Sequence, residues 1–415
     1  MTVLLVTIGS SGDVHPFVGL GIELKKRGHR VRVIVNPHYQ KLMESVGLEI
    51  IPLGTAEEFE RLRENPDLWH RTRGFPTIVN AIAQSYRPVY DAVVNNFVKG
   101  ETVIAASTLA MGARVAQDKF DLPMATVHLS PSIIRSVIAP PKLPGLYMPD
   151  WMPIWLRKVL FAIGDKVVID RLAGPALNAF RKEVGLPAVK GVVKWWWNSP
   201  KRVIGMFPDW FAPIQADWPV QTRLTGFPLY DERGVSDLSP QLQQFLDEGT
   251  PPIVFTPGTA MLHADKFFDE SVKACKALGC RGILLSRHLD HIPDSLNDCI
   301  RHFDYAPFSQ ILPRAAAFVH HGGIGTSSQA MAAGVPQIVM PFTHDQLDNV
   351  DRMQRMRIAR WIEPRNYKSK HIAATVSELL NNPATTAACK EITSRFRGVD
   401  AIGQTCDLIE QLRLS

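Results

Sequence analysis

Nine short apolar runs, separated by stretches with helical character, constrain this chain more than anything else in its sequence. Residues 2–8 (TVLLVTI) are continuously apolar, which suits a strand buried on both faces. The turn GSSGD follows, then a helical stretch from about Val14 to Arg27 and a second run at 31–35. Pro16 lies near the helix start, where a missing N–H leaves little unpaired. Lys25, Lys26 and Arg27 suit the negative end of the helix dipole, and Gly28 ends it. This is a βαβ unit, whose crossover makes the two strands parallel. Further strands are expected at 103–106, 124–129 and 203–207, and in the second half at 253–256, 282–286, 316–320 and 337–341. The expected class is α/β, with two doubly wound, Rossmann-like parallel-sheet domains facing a cleft. A chain of 415 residues is too long for one ordinary core. The expected division is 1–227, a linker at 228–250 centred on the turn-rich GFPLYDERGVSDLSP, a second domain at 251–399, and a final helical segment at 400–415 packing back on the first domain.

Composition narrows the class of partner. Hydrophobic residues make up 46% and charged residues 21%, the balance of a globular protein with a sizeable core. The net charge of +6 is spread along the chain, which argues against nucleic acid and suits anionic small molecules or a membrane surface. The five cysteines all lie in the second half, are odd in number and have no metal-ligand spacing; they read as reduced thiols of a cytoplasmic protein. The opening MTVLLVTIGSSGD has no basic n-region or long apolar h-region, and no window is apolar for the roughly 20 residues a membrane span needs. Peripheral contact with the inner face of a membrane stays open.

Two segments are rich in aromatics. Residues 139–156 (APPKLPGLYMPDWMPIWL) hold five prolines and three large aromatics, so no regular helix runs through them. They fit either a rigid packed loop or one wall of an apolar acceptor pocket. Trp195, Trp196 and Trp197 are consecutive, so at most two share a face, and core anchoring is their expected role.

The chemistry-bearing motif is Phe318-Val319-His320-His321-Gly322-Gly323-Ile324-Gly325-Thr326, with a helix expected from Ser327 to Ala333 and Gly334 as its cap. Backbone N–H groups at a helix start favour a phosphate, and glycine lets a diphosphate approach closely. His321 stands where its ring could donate to a phosphate oxygen. A tight turn around a packed histidine would account for one glycine more easily than for three. Farther on, Thr343-His344-Asp345-Gln346 ends a strand and opens a helix. Asp345 and Gln346 could bind sugar hydroxyls, or Asp345 could simply cap the helix. Tyr305, before Ala306 and Pro307, could stack on a nucleobase or pack in the core. Gly258 and Thr259, after the first strand of the second half, could offer an N–H and a hydroxyl to a diphosphate. In the first half, Ser11, Gly12, Asp13 and His15 follow the first strand, on the edge where doubly wound sheets bind ligands. Asp13 could face the cleft and take a proton from an acceptor hydroxyl, or cap the helix.

The block YAPFSQILPRAAAFVHHGGIGTSSQAMAAGVPQIVMPFTHDQLDN resembles the signature of family 1 glycosyltransferases of the GT-B fold. IGSSGDVHPFVGLGIELKKRGH resembles the opening of sterol and antibiotic glucosyltransferases. MFPDWFAPIQADWP and LTGFPLYD are similar to segments of the rhamnosyltransferases of bacterial rhamnolipid synthesis. The likeness covers essentially the whole chain. It implies that His321, with Gly323, Gly325 and Thr326, holds the diphosphate, and that Asp345 and Gln346 hold the donor sugar. It also implies that Tyr305 stacks on the base and that Asp13 activates the acceptor. Gln329 stands where plant members usually carry a ribose-binding Glu, and Phe308 replaces a common Gln, which leaves UDP and dTDP both open. The implied reaction is inverting transfer of a hexose, glucose or rhamnose, from a nucleoside diphosphate sugar to a hydrophobic or lipidic hydroxyl, with no metal or other cofactor. A nucleotide-sugar epimerase and a protein that binds the donor without turnover are the rivals. A dehydrogenase fits less well, because the first loop is not G-x-G-x-x-G and the second strand ends in Asn36.

Overall fold

The computed structural model describes residues 1–70, 72–146, 148–231, 238–258, 265–294 and 296–414. Two compact units emerge: Met1–Pro228 with Asp400–Ser415, and Leu229–Val399. Part of the expected linker, 232–237, and the candidate Thr259 lie outside the described residues.

The first unit is built on seven strands: β1 (Thr2–Val6), β2 (Arg30–Val35), β3 (Glu49–Pro52), β4 (Thr102–Ser107), β5 (Met124–His128), β6 (Arg202–Gly205) and β7 (Thr222–Leu224). They lie in the order β3-β2-β1-β4-β5-β6-β7, and every pair is parallel. Leu4 and Val6 on β1, Ile34 on β2, and Ile104 and Ala106 on β4 are buried, as strands covered by helices on both faces require. The strand order reverses between β1 and β4, so the loops after these two strands part and leave a crevice.

The helix Ala401–Glu410 belongs to this unit and packs on the helix Ser11–Lys26. Arg27 reaches Asp407 at 2.6 Å and Glu410 at 3.1 Å, and Thr225 and Thr405 share a hydrogen bond of 2.8 Å.

The second unit carries β8 (Ile253–Thr256), β9 (Gly282–Leu285), β10 (Ile300–Phe303), β11 (Ala317–His320), β12 (Gln337–Val339) and β13 (Ala359–Trp361), in the parallel order β10-β9-β8-β11-β12-β13. Here the reversal falls between β8 and β11. His320 pairs with Thr256 across those strands, so Gly258 and His321 leave the sheet side by side. The chain is thus two doubly wound α/β units.

Three expectations about elements need correction. The first helix runs Ser11–Lys26, because Ser10 supplies its N-cap. The helix after the histidine pair begins at Ile324, so Gly325 and Thr326 belong to its first turn. The strands β3, β7, β10 and β13 were not anticipated. Of the three tryptophans, Trp196 is buried and donates to Asp118 at 2.7 Å, whereas Trp195 is exposed. The proline-rich segment is pinned by buried Arg157, whose guanidinium donates to the carbonyls of Val137, Ile138, Pro149 and Asp150 at 2.6 to 3.3 Å. The five cysteines are unpaired, and three of them are buried.

Candidate active site

In the second unit the glycine turn closes around a histidine ring. A Cβ on Gly258 would lie 2.6 Å from Cε1 of His321 and 2.7 Å from Nδ1, and one on Gly323 would lie 2.5 Å from Nε2. The imidazole is therefore pressed between two α-carbons, and Gly258 also holds a φ of +94°, which side chains resist. Burial pushes the His321 pKa down to about 4, so the ring is neutral near pH 7. Its Nδ1 is buried and has no hydrogen-bond partner.

His320 has a different task. Its Nδ1 accepts from the Gly322 N–H at 3.0 Å, which leaves the proton on Nε2 to donate to Gln337 Oε1 at 3.0 Å. Burial and the neighbouring His321 hold its pKa near 3. His320 shapes the turn; it is fully buried.

The helix Ile324–Ala333 starts at Gly323 with no side-chain cap and no acidic residue in its first turn. The N–H groups and the positive end of the dipole at Gly323, Gly325 and Thr326 therefore suit an anion. Ser327 Oγ, in the same turn, is buried and unpartnered. Its sequence neighbourhood, small and polar throughout, gave no reason to single it out. Gln329 sits one turn beyond Thr326 and is buried.

Asp345 occupies the N-cap position of the helix Gln346–Arg355 but makes no capping hydrogen bond. Its Oδ2 accepts from Asn349 Nδ2 at 2.8 Å, and the same Nδ2 donates to the Gly322 carbonyl at 3.0 Å. Asn349, which the sequence did not flag, thereby joins Asp345 to the glycine turn. Gln346 is buried, and its Oε1 accepts from the N–H groups of Phe342 at 2.7 Å and Thr343 at 3.2 Å. Gly258, His321, Gly322, Gly323, Asp345, Gln346 and Asn349 form one continuous cluster. Tyr305 and Ala306 follow the edge strand β10, two strands away from β8. The Tyr305 hydroxyl donates to the Asp231 carbonyl at 2.8 Å, and the Arg287 guanidinium lies 5.3 Å from its ring centre. Among the described residues no group of three or more His, Cys, Asp or Glu could hold a metal ion.

In the first unit, Asp13 is the third residue of its helix, and it closes a capping box with Ser10. Its Oδ2 accepts from Ser10 N at 2.8 Å and Ser10 Oγ at 3.1 Å. Gly9, at φ +130°, makes this possible, since a Cβ there would meet Asp13 Oδ2 at 2.3 Å. Thr7 Oγ1 donates to the Asp13 carbonyl at 3.0 Å, and Tyr39 donates to the Gly9 carbonyl at 3.3 Å. Burial raises the Tyr39 pKa well above the usual tyrosine range, against a smaller lowering from the Ser11 side chain. Gly12 is exposed in the first turn of the helix, and His15 is partly buried one turn into it.

The chain has relatives among known proteins. Residues 3–139 match the glycosyltransferase family 28 N-terminal domain, and residues 283–397 match the erythromycin biosynthesis protein CIII-like C-terminal domain. The vancomycin aglycone glucosyltransferase of Amycolatopsis orientalis is 30% identical over 83% of this chain and 82% of its own. This chain belongs to the family 1 glycosyltransferases of the GT-B fold. The O-mycaminosyltylonolide 6-deoxyallosyltransferase of Streptomyces fradiae is 27% identical to this glycosyltransferase over 99% of the chain and 97% of the relative. A spinosyn rhamnosyltransferase solved with thymidine diphosphate superposes with a TM-score of 0.70 at 17% identity, covering 98% of this glycosyltransferase and 100% of that chain. By their names the first relative glucosylates the vancomycin aglycone and the second transfers a 6-deoxyallosyl group to O-mycaminosyltylonolide; neither points specifically to the rhamnolipid enzymes.

Proposed function

We propose that this glycosyltransferase moves a hexose, glucose or rhamnose, from a nucleoside diphosphate sugar to the hydroxyl of a hydrophobic or lipidic acceptor, with inversion at the anomeric carbon. The observation that carries this reading is the uncapped helix start beside the neutral, glycine-clamped His321, whose buried Nδ1 lacks a partner. An unpaired buried polar atom costs roughly 1–3 kcal/mol, which a bound phosphate oxygen would relieve.

The diphosphate would lie on the N–H groups of Gly323 to Thr326 and take a hydrogen bond from His321. A neutral donor and a dipole are preorganised for the charge that grows on the leaving group. No divalent ion is assigned a part. The second unit would thus hold the donor, with Asp345 and Gln346 at the sugar and Tyr305 at the base, and the first unit would hold the acceptor. Asp13 would take the acceptor's proton as its oxygen attacks the anomeric carbon. The N–H and O–H of Ser10 hold the Asp13 carboxylate in place, so its role would rest on position. Thymidine diphosphate in the spinosyn enzyme favours a dTDP-sugar donor, with UDP-glucose second.

The test is to incubate the protein with UDP- and dTDP-hexoses, with and without hydrophobic acceptors, and to follow nucleoside diphosphate release and product stereochemistry. Release that needs an acceptor, with an inverted product, is expected. Donor isomerisation without an acceptor would overturn the reading in favour of an epimerase.

A further inference from the structure

The helix Ile154–Gly164 runs on through a π-helical turn, Asp165–Ile169, into Asp170–Leu172. Buried Arg157 and Phe161 fix one side of it. The other side presents Trp155, Val159, Ile163 and Val167 at intervals of four, exposed by 67%, 45%, 54% and 51%. That spacing keeps all four on one flank. Trp151 and Ile154 extend the strip before it, and Val168 and Leu172 after it; all four are exposed. Exposed Trp195 joins it, because the segment Val192–Trp196 packs on the π-helical turn and Asp170 accepts from the N–H groups of Gly191 and Val192 at 3.4 Å each. A contiguous apolar surface of this extent marks a contact site.

Charge says what it contacts. Lys158, Lys166, Arg171 and Lys194 are exposed on or beside the strip, and the Lys194 ammonium lies 4.8 Å from the Trp195 ring centre. The helix has two carboxylates: Asp165 is paired with Arg135, and Asp170 holds the neighbouring segment. Nearby Asp150 has Lys142 at 3.4 Å. The exposed charge of the helix itself is thus all positive. Among the described residues no helix is long and apolar enough to cross a membrane, whereas tryptophan, branched aliphatics and lysine on one face are the composition of a helix lying in a bilayer's interface.

We propose that this face seats the protein on an anionic lipid bilayer. Trp151, Trp155, Ile163 and Trp195 enter the boundary between headgroups and acyl chains, and Lys158, Lys166 and Arg171 meet the lipid anions. The inference requires no transfer chemistry, so it stands or falls separately from the proposed function.

Sedimentation of the full chain with vesicles tests it, using phosphatidylcholine alone and phosphatidylcholine mixed with phosphatidylglycerol. Binding to the mixed vesicles should be the tighter and should weaken with salt. The double substitution Lys158→Glu/Lys166→Glu should lower partitioning to mixed vesicles by at least about twentyfold, at about fivefold per basic residue removed. Trp155→Ser/Ile163→Ser should reduce binding to both vesicle types. Both variants should melt with the parent, since the altered side chains are exposed. A parent that stays in the supernatant with mixed vesicles overturns the proposal, as do variants that sediment like the parent. A parent that elutes as a dimer, ignores vesicles and becomes monomeric on Trp155→Ser/Ile163→Ser would give the face to a second copy instead.

Discussion

The two ionisable side chains with the strongest candidacy, Asp13 and His321, are held by the same device: each lies where a neighbouring glycine would otherwise carry its Cβ. The placement makes Gly258 as consequential as the histidine it faces. Gly258→Ala would drive a methyl into the ring and strain a backbone at φ +94°. It should cost on the order of 2 kcal/mol in denaturant unfolding and weaken nucleoside diphosphate binding about as much as His321→Ala does. His321→Ala itself should slow transfer by about 10²–10³ if its N–H meets the leaving group. Calorimetric titration with dTDP and UDP checks both, and unchanged affinity in either variant would remove the histidine from the phosphate site. For Asp13, Asn is the informative substitution: it retains an oxygen for the Ser10 N–H, so the fold should hold, while proton uptake is lost and the rate should drop by about 10²–10⁴ with donor affinity intact. A fully active Asn variant would leave Asp13 a capping residue.

At the scale of elements, the helix Gln346–Arg355 separates two roles that its opening residues blur. Gln346→Ala would strand the N–H groups of Phe342 and Thr343, so about 1–3 kcal/mol of stability should go with it whatever the ligand does. Gln346→Glu keeps the acceptor and removes the amide N–H₂, which makes it the cleaner probe of sugar recognition. That variant and Asp345→Ala should both weaken binding of intact donor more than binding of the free diphosphate; equal losses would make the pair structural. The same scale explains what the sequence conveyed about the fold. The strands anticipated from apolar runs, β1, β2, β4, β5, β6, β8, β9, β11 and β12, are interior to their sheets. Those missed, β3, β7, β10 and β13, are the four edges. EIIP, TRL, IRHF and ARW are short and carry charge, because an edge strand has a neighbour on one side only and need not be apolar throughout. The histidine–glycine turn was legible because three glycines in five residues are costly unless something must come close. Asn349 and Tyr39 were not, since each acts through a partner distant in sequence, and Ser327 was not, since only its burial without a partner marks it; side chains of these types are common anywhere.

Across the whole molecule, both units bury neutral histidines. His128 in the first, between Thr108 at 2.6 Å and Asn198 at 2.8 Å, has a pKa held near 4 by burial. His320 and His321 in the second stand near 3 and 4. These values lie below the ordinary 6.5, so the unfolded chain binds more protons between about pH 4 and 6.5. The stabilisation is fully present above that window and is lost as pH falls through it, at about 1.4 kcal/mol per pH unit per histidine. Melting temperatures should therefore drop steeply from pH 6.5 to 5, and a flat profile would contradict the burial. Ending the chain at Val399 should unfold the first unit preferentially. It removes the Asp407 and Glu410 partners of Arg27 and the buried Cys406, Ile409 and Leu412, at roughly 1.5–3 kcal/mol for each buried aliphatic side chain. Limited proteolysis should then cut the first unit before the second. The placement of that last helix also has a bearing on biosynthesis. At about 5–20 residues per second, the ribosome spends roughly ten to thirty-five seconds making residues 229–399 before the closing helix can emerge. When that interval ends, the half translated second is whole while the half translated first still lacks a piece of its own core, so the first half of the message encodes the last part of the protein to finish folding.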